Sequence, residues 1–178
     1  GAVKGGWSAA VFHSRTSDEI VSAGASNGRT TYRNAGDTRR QGLELQADLR
    51  LTPQWKVQAA YTYPDATFRQ ASGSAAAGNM LPGLSKQHLS VGLDYELTSE
   101  WRLGVAAEHA SKVYVNDANS ASAPGYTVAS ASVGYRKVMG PWTLRAFARV
   151  DNLFDRKYVG SVIVNDGNSR FFEGAPGR

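Results

Sequence analysis

Leu43-Glu44-Leu45-Gln46-Ala47-Asp48-Leu49-Arg50-Leu51 and, after a short turn at Thr52-Pro53, Trp55-Lys56-Val57-Gln58-Ala59-Ala60-Tyr61-Thr62-Tyr63 decide the fold. In the first stretch Leu43, Leu45, Ala47, Leu49 and Leu51 alternate with Glu44, Gln46, Asp48 and Arg50. In the second, Trp55, Val57, Ala59, Tyr61 and Tyr63 alternate with Lys56, Gln58, Ala60 and Thr62. Successive side chains of a strand point to opposite faces, so each stretch reads as a strand with one apolar and one polar face.

Working outward, the same period recurs. Leu89, Val91, Leu93, Tyr95 and Leu97 alternate with Ser90, Gly92, Asp94 and Glu96. Trp101, Leu103, Val105 and Ala107 alternate with Arg102, Gly104, Ala106 and Glu108. Trp142, Leu144, Ala146, Ala148 and Val150 alternate with Thr143, Arg145, Phe147 and Arg149. Two less regular strands hold Trp7, Ala9 and Val11, and run from Tyr126 to Tyr135. The expectation is an all-β, antiparallel up-and-down meander of about seven long strands, a segment of a transmembrane β-barrel.

The connections carry the membrane part of that reading. Short turns at Thr52-Pro53, Thr98-Ser99-Glu100 and Val138-Met139-Gly140-Pro141 alternate with long connections over about 22–28, 70–85, 111–124 and 156–170. Short turns at one end and long loops at the other are the pattern of outer-membrane barrels. Trp7, Trp55, Trp101 and Trp142 each open a strand, at spacings of 48, 46 and 41 residues. Tryptophan favours the membrane–water interface, where its ring is buried and its N–H stays wet. From Trp55 to Tyr63, on one face, is roughly 26 Å of strand, or roughly 20 Å of height at a tilt of about 40°, near the apolar band of about 25 Å. A propeller blade needs four short strands where each repeat here offers two long ones. A soluble sandwich or lipocalin-like barrel would not need tryptophans in register at one end.

Composition excludes other classes. The chain has 178 residues, no Cys, and 20 basic against 15 acidic residues. Without Cys there is no disulfide scaffold, thiolate metal site or thiol catalysis. A mean hydropathy of −0.37 and short apolar runs exclude a transmembrane helix, though not a membrane barrel. The basic residues are scattered, with only Arg39-Arg40, Arg136-Lys137 and Arg156-Lys157 adjacent, so no nucleic-acid partner is expected. No phosphate loop, G-x-S-x-G or H-E-x-x-H occurs. His13, His88 and His109 fall on separate strands without a ligand-spaced partner. No enzyme, cofactor or metal site is expected. Gly1 in place of Met, and the stretch Gly174-Ala175-Pro176-Gly177-Arg178, make both ends read as cuts.

Five motifs, in order, resemble those of TonB-dependent outer-membrane receptors. Thr31-Tyr32-Arg33-Asn34-Ala35 followed by Arg40-Gln41-Gly42-Leu43-Glu44 resembles their Y-x-N-A…R-x-G-[LIV]-E stretch. Tyr61-Thr62-Tyr63-Pro64-Asp65-Ala66 is similar to Y-T-Y-x-D-A. Leu81-Pro82-Gly83-Leu84-Ser85-Lys86-Gln87 is similar to L-P-G-x-P-x-H, with Ser85 replacing the second Pro and His88 one place late. Val150-Asp151-Asn152-Leu153-Phe154-Asp155-Arg156-Lys157-Tyr158 is similar to V-x-N-L-F-D-x-x-Y. Phe172-Glu173-Gly174-Ala175-Pro176-Gly177-Arg178 resembles the P-x-P-G-R approach to a last strand, with Gly174 where Pro is frequent.

The resemblance implies residues 1–178 of a partial β-barrel domain, lacking the plug and the final strand, in the outer membrane of a Gram-negative bacterium. It implies import of a metal chelate, a ferric siderophore, with energy from TonB acting through the missing plug. A passive porin or a structural barrel is the alternative. Outer-membrane lipid is the partner of the apolar face. Glu44, Asp48, Arg50, Lys56, Arg102, Glu108, Arg145, Arg149 and Asp151 are expected to face the lumen, since lipid-facing Arg or Lys costs about 2–4 kcal/mol at the midplane. Arg29, Tyr32, Arg69, Tyr114, Asn168 and Arg170, near long-loop ends, are the candidate substrate contacts. Arginine supplies charge and planar hydrogen bonding, tyrosine a rigid amphipathic contact.

Overall fold

The computed structural model describes residues 3–26 and 29–178. The suggested cut at Gly1, and Asn27 and Gly28 in the first long connection, lie outside the described residues. In chain order the strands are β1 (Lys4–Thr16), β2 (Ile20–Ser26), β3 (Arg29–Asn34), β4 (Thr38–Arg50), β5 (Trp55–Phe68), β6 (His88–Glu96), β7 (Trp101–Ala110), β8 (Val113–Tyr114), β9 (Ser122–Ala123), β10 (Tyr126–Met139), β11 (Trp142–Val150), β12 (Val159–Val162) and β13 (Phe172–Gly174). No helix occurs among the described residues.

Seven strands form one antiparallel sheet in the order β1-β4-β5-β6-β7-β10-β11. These are the seven expected from period two, each paired with the next long strand. The other six form three small hairpins, β2-β3, β8-β9 and β12-β13, inside connections that the sequence presents as solvated loops. Phe172, in the stretch read as the approach to a last strand, pairs with Val162 across β12-β13. Val138 and Met139, read as turn, are strand residues opposite Thr143 and Trp142. That leaves a two-residue turn, Gly140-Pro141, with Gly140 at φ +60, the positive φ that a II′ hairpin asks of its first residue.

The register makes each face uniform. Trp7, Ala47, Ala59, Val91, Ala107 and Ala129 are successive Cα partners on one face. Ser8, Gln46, Ala60, Ser90, Glu108 and Val128 are successive partners on the other. A slip of one residue would exchange these sets. Phe147 departs from the pattern: it lies on the polar face opposite Gly134 and is 83% exposed.

The tryptophans step down this ladder. Trp55 lies four residues below the Trp7 row, Trp101 two below the Trp55 row, and Trp142 four below the Trp101 row. Ten residues of stagger across six strand spacings correspond to a line roughly 49° from the perpendicular to the strands, at about 3.3 Å per residue and 4.8 Å per strand. Barrel strands tilt by nearly that much from their axis, so the four rings lie along one circumference. Trp55 stacks on Tyr95 at 4.4 Å, and Trp101 lies tilted against Tyr135 at 4.6 Å between ring centres.

Two of the short turns are chemically alike. The Thr52 hydroxyl accepts from the backbone N–H of Gln54 (3.2 Å) and Trp55 (3.1 Å). The Thr98 hydroxyl accepts from Glu100 (3.2 Å) and Trp101 (3.1 Å). The hydroxyl supplies the acceptor that a reversing backbone lacks, and so sets where the tryptophan begins the next strand.

The buried apolar residues lie at the opposite end. Ala35, Ala66, Phe68, Ala75 and Leu81 form a cluster against which Val21 packs. It joins the β2-β3 hairpin, the top of β5 and the connection after it. The connections are therefore a folded cap, with the best-buried core of the described chain inside it.

Candidate functional site

The cap is built by polar side chains that reach across long sequence separations. Arg33 on β3 donates to Asp117 Oδ2 at 2.8 Å and to Ser72 Oγ at 2.7 Å. Asp117 is 3% exposed, so its charge is held by this contact. Asn79 donates to the Asp117 carbonyl at 2.8 Å, and Asn119 exchanges hydrogen bonds with the Met80 backbone at 2.8 and 2.9 Å. Asn165 accepts from the Asp117 N–H (3.1 Å), donates its side chain to the Ser22 carbonyl (2.8 Å) and its backbone N–H to the Val115 carbonyl (2.9 Å). One asparagine thus ties three of the four long connections together.

The base of the β2-β3 hairpin is pinned separately. Glu19 takes both guanidinium nitrogens of Arg40, one at 2.9 Å, and the Thr38 hydroxyl. The Arg40 hydrogen bonds hold the Glu19 carboxyl below its ordinary range, aided by Thr38 and opposed by burial. Gly42, two residues on, leaves room for the Phe12 ring: a Cβ there would come within 2.6 Å of it. The Arg40-Gln41-Gly42 motif is thereby a pin and a seat for a neighbouring aromatic.

The candidate contacts distribute as follows. Arg29 and Tyr32 lie on β3, both exposed, Tyr32 at 68%. Arg69 is exposed and its backbone N–H donates to the Asp37 carbonyl at 2.9 Å. Tyr114 is half-buried on β8, with Lys112 Nζ 2.9 Å from its hydroxyl. Asn168 and Arg170 are exposed, and their backbone N–H groups both donate to Asp166 Oδ2, at 3.0 and 2.7 Å. Among the described residues no hydrogen bond or ion pair joins these six side chains to one another. They share the cap rather than a single constellation.

Sequence reasoning missed the residues that assemble the cap: Arg33, Asp117, Asn119 and Asn165. One signal was present. Val115-Asn116-Asp117-Ala118-Asn119-Ser120 recurs as Val164-Asn165-Asp166-Gly167-Asn168-Ser169, and the two copies pack on each other through Asn165. Asn152 of the N-L-F-D motif likewise closes its own turn, exchanging two 2.8 Å hydrogen bonds with the Arg156 backbone.

Beneath the cap, the polar face carries a second group. Tyr126 packs tilted against Tyr158 at 4.4 Å, and its hydroxyl donates to Glu108 Oε1 at 3.4 Å. His88 Nε2 is 3.1 Å from the same oxygen. His88 thus meets Glu108, and His109 Nδ1 is 2.8 Å from Thr127 Oγ1, each a single contact between adjacent strands. Polar-face charges also pair among themselves: Arg149 with Asp151 at 2.7 Å beside Glu108, and lower down Lys56 with Asp48 and Arg102 with Glu96, both at 3.1 Å.

This geometry can be set beside known proteins. Residues 2–153 match the family model for the β-barrel of TonB dependent receptor-like proteins. The ferrioxamine receptor of Yersinia enterocolitica is 33% identical over 74% of the chain and 19% of its own length. The ferrichrome outer membrane transporter/phage receptor of Escherichia coli K12 is 31% identical over 74% of the chain and 18% of its own. The crystal structure of the siderophore receptor PiuA from Acinetobacter baumannii superposes with a TM-score of 0.77 at 24% identity, covering 97% of this chain and 24% of that one. The chain spans about a fifth of the length of the curated relatives it matches. It belongs to the TonB-dependent receptor β-barrel family, outer-membrane proteins of Gram-negative bacteria that act as receptors and transporters, and its seven-stranded sheet is a segment of such a barrel.

Proposed function

We propose that residues 1–178 form part of the barrel domain of a receptor that binds a metal chelate, a ferric siderophore, at the cell surface and imports it. Energy comes from TonB acting through a plug that this segment does not itself supply. The observation that carries the reading is the cap. The long connections are packed into one unit at the extracellular end, with Arg29, Tyr32, Arg69 and Arg170 exposed on it. Arginine and tyrosine together suit an anionic chelate bearing catechol or carboxylate oxygens. The relatives support a ferric chelate as the cargo, one being a ferrioxamine receptor and another a ferrichrome outer membrane transporter.

The test is equilibrium binding of labelled ferric siderophores to cells that carry the full-length receptor. Arg69→Ala and Arg170→Ala should each weaken binding by about 1–3 kcal/mol, the worth of a charged hydrogen bond. A different short turn at Thr98-Ser99-Glu100 should leave it unchanged. If neither arginine substitution nor exchange of the three long connections shifts a dissociation constant, recognition lies elsewhere in the receptor.

A further inference from the structure

Among the tyrosines of the wall strands, Tyr61, Tyr63, Tyr95 and Tyr135 lie on the apolar face, where a ring at the membrane interface accounts for them. Tyr126 lies on the other face. It opens β10 opposite Ala110, two residues nearer the cap than the Glu108–Val128 pair. Lipid does not explain it. Its ring meets Tyr158 with centres 4.4 Å apart, and its hydroxyl donates to Glu108 Oε1 at 3.4 Å. One side chain thus fixes both a second ring and a carboxylate. His88, Glu108 and Tyr126 stand on β6, β7 and β10, each of which has a neighbour on both sides in the sheet.

Glu108 and Tyr158 share the lining of a hollow of about 330 Å³ with Ser90, Ser130, Asp151 and Asn152. Charge in it is unbalanced. Arg149 and Asp151 close on each other at 2.7 Å. Among the described residues Glu108 has no Lys or Arg within 4.0 Å, its one basic neighbour being His88 at 3.1 Å. Both contacts of Glu108 fall on Oε1, and its side chain is 48% exposed, so Oε2 faces the open hollow. Glu108 stands near the cap end of β7. Tyr158 comes from the same connection as Asn168 and Arg170, and its carbonyl accepts from the Ala175 N–H at 3.0 Å. The hollow therefore lies directly beneath the cap that carries the exposed arginines.

We propose that this hollow is a subsite for a cationic arm of the cargo, a primary ammonium borne by the chelate. The subsite rests on the chelate reading given above and adds a charge to it. The ammonium donates to Glu108 Oε2 and lies against the Tyr158 ring, whose π-face attracts cations. Tyr126 is a positioning residue, its ring set against Tyr158 and its hydroxyl on Glu108. At about 330 Å³ the hollow is at the lower end of small-molecule pockets, the size for an arm rather than for a whole chelate. The arginines of the cap take the opposite charge. The two sites together select a chelate with an anionic iron-bearing head and a cationic arm, and they orient it with the head toward the cap.

The experiment is equilibrium binding to cells that carry the full-length receptor. The probes are ferric catecholate and ferric carboxylate chelates, each made with a free primary amine on one arm and with that nitrogen acetylated. The wild type should prefer the amine form. Glu108→Gln should weaken the amine form by about tenfold or more, a charged hydrogen bond being lost, and leave the acetylated form unchanged. Tyr126→Phe, which keeps the ring and removes the hydroxyl, and Tyr158→Leu should both shift the amine form in the same direction. Arg69→Ala should weaken both forms alike. Heat-modifiable migration in detergent gels shows that each variant is folded. An equal loss of both forms in folded Glu108→Gln overturns the proposal and gives Glu108 to the plug as its partner; no loss of either form overturns it as well. Failure of the chelate reading itself looks different: the wild type then binds none of the probes in either form, and the subsite falls with it.

Discussion

Removing the Arg33 side chain tests whether the cap is a single packed unit. In Arg33→Ala, Asp117, 3% exposed in the wild type, loses the only charged partner it has among the described residues. Its Oδ1 already lacks a hydrogen bond, so the carboxylate would be left buried with neither oxygen paired to a side chain. Breaking a buried ion pair from one side costs about 3–5 kcal/mol. Arg33 is itself 23% exposed, and water reaching the gap favours the lower end, about 3 kcal/mol. The 2.7 Å bond to Ser72 adds about 1 kcal/mol. At 1.4 kcal/mol per tenfold, amide exchange in the cap should accelerate by two orders of magnitude or more. The assay is hydrogen exchange with mass spectrometry on the full-length receptor, following peptides from 69–87, 111–125 and 156–170. All three should lose protection together, because Asn165 and Asn79 couple them to Asp117. Arg33→Ala/Asp117→Ala should recover part of the loss, since no orphan charge remains. Loss confined to the β2-β3 hairpin, or a double variant worse than the single one by the full cost of Asp117→Ala, would refute the reasoning.

Two further outcomes are expected. Arg at Val105 or Leu93, mid-strand on the apolar face, should impair barrel assembly in the intact receptor by about 2–4 kcal/mol, while Lys at Gln46 should not, as read from the folded fraction in outer membranes; equal tolerance at all three positions would reverse the facing. Because Arg40 depresses the Glu19 carboxyl, its contribution is fully present above the unfolded value near 4.3 and is lost as pH falls through the lower folded value, so proteolysis of the 17–37 segment should rise in acid for the wild type and show a flatter pH profile in Glu19→Gln.

The wall was legible in the sequence because a strand with one face in lipid and one in a lumen writes its period into neighbouring residues. Five of the seven wall strands follow cleanly from that period, with β1 and β10 less regular, and Trp142 after Gly140-Pro141 is set locally. The cap was not, for a physical reason. Its apolar residues are mostly alanines, whose burial depends on what packs over them, and its polar ties join residues far apart in the chain, as Arg33 to Asp117 and Ser22 to Asn165. Nothing at Ser22 announces that Asn165 will cover it. The arginines and tyrosines of the candidate site were readable as chemistry, but the side chains that assemble the cap around them were not. The His88–Glu108 contact was hidden likewise, since it depends on the β6-β7 register.

The two Thr-x-x-Trp turns bear on how the wall is built. β4-β5 and β6-β7 are closed by 51–54 and 97–100, and β10-β11 by two residues. The joints between these pairs run through 69–87 and 111–125. Chain closure costs about (3/2)RT ln n, so a joint of 19 residues is disfavoured over one of four by about 1.4 kcal/mol, near tenfold in equilibrium. Each two-strand module, carrying its own interfacial ring, therefore zips early and locally. The gathering of modules side by side has to be driven by something else, and the hydrogen-bonded lattice around Asp117 and Asn165 occupies those joints. Before it grips any ligand, the outer lattice acts as the stitching that holds prefabricated staves in order.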